Sequence, residues 1–188
     1  MSNKNIDSLT DFDGFYKEMQ NESPRAAVII ASAFLDSQVR KLLEKFLVDD
    51  KKAVEKLIGS EKEIETPLSS FGARISTAYC LGLISKNEYN DLLTIKKIRN
   101  KFAHEMHGYT FDDQKIIDWC KDLKLAREIT EVDSHINNSH PSLFLLSVFQ
   151  LTNRLALRIL SKKIDHQIPF GNLMTSEVII RKSADTKI

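Results

Sequence analysis

A chain of 188 residues suits one domain with a tail and leaves little room for two. Hydrophobic residues make up 42%, enough to fill a core, while six Gly and four Pro are too few for a loop-rich β protein. A formal charge of +1 excludes a strong molecule-wide field for nucleic acid and leaves room only for a local patch.

The first residues, Met1-Ser2-Asn3-Lys4-Asn5-Ile6-Asp7, are polar and do not read as a signal peptide. Residues 1–8 are expected to be disordered, followed by a short helix around Asp11–Gln20 with Phe12, Phe15, Tyr16 and Met19 along one side. Ser23-Pro24 gives a helix start, Ser as N-cap and Pro at the first helical position. The helix runs to about Phe46, and its stretch Ala26–Leu35 is apolar almost all round, the mark of a central bundle helix. That run is the longest apolar one, is interrupted by Ser32 and is too short to span a bilayer, so a soluble cytoplasmic protein without membrane contact is expected.

Asp49 or Asp50 should cap a short helix to Ile58, closed by Gly59, with a charged loop over Ser60–Thr66. Pro67 is expected to begin a helix with Leu68, Phe71, Ile75 and Ala78 inward, stopped by Gly82. Ser85-Lys86-Asn87-Glu88 reads as a capping box, opening a helix from about Lys86 to His104 with Gly108 as its stop. Asp112 or Asp113 caps the next helix, whose inner stripe is Ile116, Trp119, Cys120 and Leu123. After a polar connection, Glu131–His140, a last helix from about Ser142 to Lys162 keeps Leu145, Val148, Thr152, Leu155 and Ile159 in register. Residues 164–188 lack a helical period, and Glu177–Arg181 could add a short strand.

The fold class expected is all-α, an up-and-down bundle of about six to seven helices. Its parts are an N-terminal segment (1–22), the bundle (23–163) and a tail (164–188). Ala27, Ile30, Ala31, Phe34, Leu92, Ile95, Leu145, Val148 and Leu155 should share one core. Cys80 and Cys120 read as buried free thiols in a reducing compartment.

Chemical potential is densest at Ile98-Arg99-Asn100-Lys101-Phe102-Ala103-His104. At about 100° per residue, Arg99 and His104 stand about 140° apart, Arg99 at the edge of the buried stripe and His104 on the polar side near Asn100. They can meet only if the Arg arm curls round, the last turn unwinds or a second chain brings its copy. A purely structural Arg99 would pair a carboxylate such as Asp91 or Glu105. A structural His104 would sit at the helix C-terminus, where the dipole favours it. The run Lys96, Lys97, Arg99, Lys101 makes Lys97 and Lys101 candidates for RNA phosphate, although such faces are commonly just the wet side of a helix.

A helix-turn-helix over Ala73–Leu93 fails, because Glu88 falls between the two helices where an apolar residue belongs. His104, Glu105 and His107 miss the spacing of a metalloprotease site, and His135, His140 and His166 lack ligand neighbours. No phosphate-cradling Gly loop, nucleophile elbow or paired catalytic carboxylates appear, so neither metal nor cofactor is expected.

Arg99-Asn100-Lys101-Phe102-Ala103-His104 resembles the R-x4-H signature of the HEPN superfamily of helical bundles, including the polar residue directly after the Arg. Separately, the stretch from about Ser23 to Leu123 resembles the mannitol operon repressor family. The carrying residues are Pro67-Leu68-Ser69-Ser70-Phe71-Gly72-Ala73-Arg74-Ile75, Leu81-Gly82-Leu83-Ile84-Ser85, Glu88-Tyr89, Ile98-Arg99-Asn100 and Phe111-Asp112-Asp113. The family resemblance implies a regulator of sugar-operon transcription that works through a protein partner and has no DNA-reading element of its own. The HEPN resemblance implies a metal-independent ribonuclease built from two chains, a toxin or phage-defence enzyme. Arg99 would hold the phosphate, His104 would act as general acid or base, and Asn100 would stand beside them. The regulator is the preferred reading, since likeness of fold transfers chemistry poorly.

Overall fold

A computed structural model describes residues 17, 19, 21–59, 66–104, 109–130 and 139–161. Among these residues the chain forms seven helices and no strand: α1 (Pro24–Phe46), α2 (Lys51–Ile58), α3 (Phe71–Cys80), α4 (Lys86–His104), α5 (Gln114–Lys121), α6 (Lys124–Thr130) and α7 (His140–Leu160). The all-α bundle is therefore as expected. Most of the short N-terminal helix, the charged loop before Thr66, Glu105, His107, the Gly108 stop, His135, His166 and the tail lie outside the described residues.

Local chemistry sets most boundaries. The Ser23 side chain accepts from the Ala26 N–H, and Pro24 occupies the first turn of α1. Asp50 caps α2 by accepting from the Ala53 N–H, and Gly59 closes it at φ 97°, a conformation that favours glycine. The capping box of α4 is formed: Ser85 N–H donates to Glu88 Oε2 at 2.7 Å, and Glu88 N–H donates to Ser85 Oγ at 3.3 Å. Ser139 caps α7, which begins two residues earlier than expected because Pro141 serves its first turn.

Two boundaries depart from expectation. Pro67 opens a turn, not a helix; α3 starts at Phe71 with Ser70 as its cap. The Leu68 and Ser69 carbonyls accept from Arg74 Nη1 at 2.6 and 2.9 Å, so this segment is tied to a side chain. The second departure is α6, absent from the sequence reading. Leu123, just before it, has no capping side chain. Asp91 of α4 fills that role, accepting from the Lys124 and Leu125 N–H groups at 2.9 Å each and from Ser147 Oγ at 3.0 Å.

α1, α4 and α7 build the core. Val28, Leu35, Val39 and Leu42 of α1 meet Leu92, Ile95, Ile98 and Phe102 of α4 and Phe144, Val148, Leu151 and Leu155 of α7, all buried. Arg25 Nη2 near the start of α1 donates to the Ala103 carbonyl near the end of α4, so these two helices run antiparallel. α7 has the length and hydropathy to cross a membrane, yet 61% of its most apolar stretch is buried inside the bundle. A core helix accounts for that composition.

α1 is central but not buried all round. Ile30 is 46% and Phe34 44% exposed, so both leave the expected core. Among the described elements, α3, α4 and α7 pack most closely on α1, and Ile30 and Phe34 lie away from them. Cys120 is buried as expected, whereas Cys80, the last residue of α3, is exposed.

Candidate functional site

Asp36 and Arg74 anchor the site. Arg74 donates from Nε to Asp36 Oδ1 at 2.8 Å and from Nη2 to Oδ2 at 2.7 Å, a bidentate pair that joins α3 to α1. With its other nitrogen on the Leu68 and Ser69 carbonyls, Arg74 also holds the turn that leads into α3. The helices part above this pair. Between them lies a cleft of about 410 Å³, walled by Ser32 and Asp36 of α1, the Ser69–Gly72 segment, and Lys96, Arg99 and Asn100 of α4.

The charge in the cleft is unbalanced. The Asp36 carboxylate is taken up by Arg74, while Lys96 and Arg99 meet no carboxylate among the described residues. Arg99 Nη1 donates instead to the Asn100 amide oxygen at 3.1 Å. Lys96 comes close to the backbone at Gly72, where a Cβ would stand 2.4 Å from Nζ. A side chain at position 72 would make that ammonium group, the far end of a flexible chain, shift.

Sequence-derived candidates divide here. Arg99 and Asn100 line the cleft; His104, exposed at the end of α4, does not. One chain therefore does not unite the R-x4-H pair in this cleft. Arg99 is exposed, and Asp91, one of the two carboxylates expected to pair it, serves Lys124, Leu125 and Ser147, while Glu105, the other, lies outside the described residues. Lys97 is exposed, and Lys101 is half-buried with Nζ 5.2 Å from the centre of the Tyr109 ring. Neither Lys97 nor Lys101 lines the cleft. Sequence reasoning passed over Ser32, Asp36 and Gly72 as site residues and weighed Lys96 only as part of a basic run.

The mannitol repressor family model matches residues 16–162, most of the chain. The chain belongs to the mannitol repressor family. The mannitol operon repressor of Escherichia coli strain K12 is 32% identical over 97 residues, covering 50% of this chain and 48% of that protein. The repressor of Escherichia coli O6:H1 (strain CFT073) matches to the same extent. The match thus spans about half the length of these curated relatives. A solved structure of the MtlR–HPr complex from Escherichia coli superposes with a TM-score of 0.57 at 19% identity, covering 77% of this chain and 98% of that one. At that identity the likeness establishes the fold.

In this mannitol repressor family member, the segment Ser69–Arg74 and the pair Arg99-Asn100, both within the stretches that carry the sequence resemblance, meet across the cleft. The signal for a site was therefore present as a local pattern; the contributions of Ser32 and Asp36 from α1 were not.

Proposed function

We propose that this protein is a regulatory bundle acting in transcriptional control through a bound protein partner, with HPr the partner to test first. The observation that carries this reading is the family match over residues 16–162, joined by a structural relative solved as a complex with HPr. The functional unit is the bundle, 23–163, with 164–188 as a tail. Two features of the molecule support a mode of action without DNA reading. α4, the would-be recognition helix, is packed against α1, α3, α5, α6 and α7. Glu88, at the would-be turn, is buried and paired with Arg158 at 2.8 Å. For docking, Ile30 and Phe34 present apolar area on the outer side of α1, with Ala33 between them reaching the cleft wall.

Titrating the purified protein with HPr in a calorimeter tests the reading. Binding is expected, and Phe34→Ala should weaken it while shifting the melting temperature little, since the ring is already half in water. No heat of binding at concentrations well above micromolar, with both proteins folded, would count against it.

The ribonuclease reading keeps one favourable observation: Arg99, a cleft-lining cation, meets no carboxylate among the described residues. It requires that the Arg99 arm curl round, the last turn of α4 unwind, or a second chain bring His104 opposite Arg99. Metal-independent cleavage of labelled RNA, lost in both Arg99→Ala and His104→Ala with helicity intact, would put this reading first.

A further inference from the structure

We propose that the cleft between α1, α3 and α4 binds a small phosphate monoester. The inference stands apart from the protein-partner reading and does not use His104.

Four observations converge on it. The cleft, at about 410 Å³, falls in the range of small-molecule sites. Two cations, Lys96 and Arg99, line it in excess, because the Asp36 charge is satisfied by a bidentate Arg74. The N-terminus of α3 opens on it: Ser70 spends its side chain on the Ala73 N–H, leaving the Phe71 and Gly72 N–H groups at the positive end of a ten-residue helix. Finally, Ser32 lines the cleft, is only 2% exposed, and its Oγ has no hydrogen-bond partner among the described residues. A buried hydroxyl left unpaired costs about 1–3 kcal/mol, a cost that a ligand oxygen relieves.

The chemistry of the donors selects the ligand. They approach from three elements: a hydroxyl from α1, backbone N–H groups from α3, and an ammonium and a guanidinium from α4. A phosphoryl group offers three terminal oxygens spread in three directions and carries close to two negative charges at neutral pH. A carboxylate offers two oxygens in one plane and a single charge. Gly72 lets the Lys96 ammonium sit close against the start of α3, where a Cβ would make it shift.

Calorimetric titration of the full chain with glycerol 3-phosphate, inorganic phosphate, succinate and glycerol tests the proposal. Glycerol 3-phosphate should bind at millimolar concentration or below, at least about tenfold more tightly than succinate or inorganic phosphate, and glycerol should give no heat. Lys96→Gln and Arg99→Gln should each weaken the ester about tenfold or more, Gly72→Ala should do the same through Lys96, and Lys52→Gln on α2 should not. Should Gly72→Ala melt early, the two α4 variants decide. Absence of binding, equal affinity for succinate or for free phosphate, or an equal loss in Lys52→Gln would overturn the assignment.

Discussion

Arg99 gives its guanidinium to the Asn100 amide and lies open to solvent, so truncating it removes little that holds the fold. Arg99→Ala and His104→Ala should each change unfolding free energy by no more than about 0.5 kcal/mol in urea titrations. Helical angle alone gave a different expectation for Arg99, since it shares a sector of α4 with the buried Leu92. The sector is buried at Leu92 and open two turns on at Arg99, which lines the cleft. Periodicity reports the direction of a side chain, not what stands there to meet it. The thiols make the same point. Both lie in apolar helical surroundings, yet Cys80 ends α3 in solvent, while burial pushes the Cys120 thiol up to about 12. A thiol reagent at neutral pH should label Cys80 promptly in the native protein and Cys120 only on unfolding, as peptide mapping by mass spectrometry would read directly.

Three helices announced their caps in the sequence; α3, capped by its own Ser70, was expected from Pro67, and α6, capped from another helix, was not seen at all. Ser23, Asp50 and Ser85 announce α1, α2 and α4 in the sequence, and the structure uses all three. α6 has no such announcement, because its cap is the Asp91 carboxylate. Burial raises the pKa of Asp91 above its ordinary 3.8, with the hydrogen bonds from Lys124, Leu125 and Ser147 pulling the other way. A carboxyl group raised in the folded state holds its proton longer there than in the unfolded chain. Its contribution to stability is therefore fully present below the ordinary value and is lost as pH climbs through the raised one. Comparing wild type with Asp91→Asn by urea unfolding from below pH 3.8 to neutrality, the wild type should lose ground as pH rises. Asp91→Ala should cost about 2–4 kcal/mol at any pH in that range, because it strands two N–H groups and a hydroxyl.

For the molecule as a whole, the fold class followed from the apolar registers of α1, α4 and α7, whose buried faces supply much of the core. The cleft was not legible in the same way: Ser32 and Asp36, Ser69–Arg74, and Lys96–Asn100 are remote in sequence and meet only after the helices pack. A formal charge of +1 and an α4 packed against five other helices give the same expectation for nucleic acid. In gel shifts at physiological salt the protein alone should not distinguish an operator duplex from a scrambled one. A sequence-dependent shift would overturn this expectation.

The Asp91 cap also fixes an order of events. Seven residues are too few for α6 to persist as an isolated helix in water, and its first two N–H groups find their acceptor 33 and 34 positions back along the chain. α6 can gain lasting helicity only once α4 is in place, and Ser147 draws α7 into the same junction. A single carboxylate thus makes the C-terminal half of the bundle wait for the middle. In hydrogen exchange, the Lys124 and Leu125 amides should open together with the core of α4, not with the exposed turn of helix to which they belong.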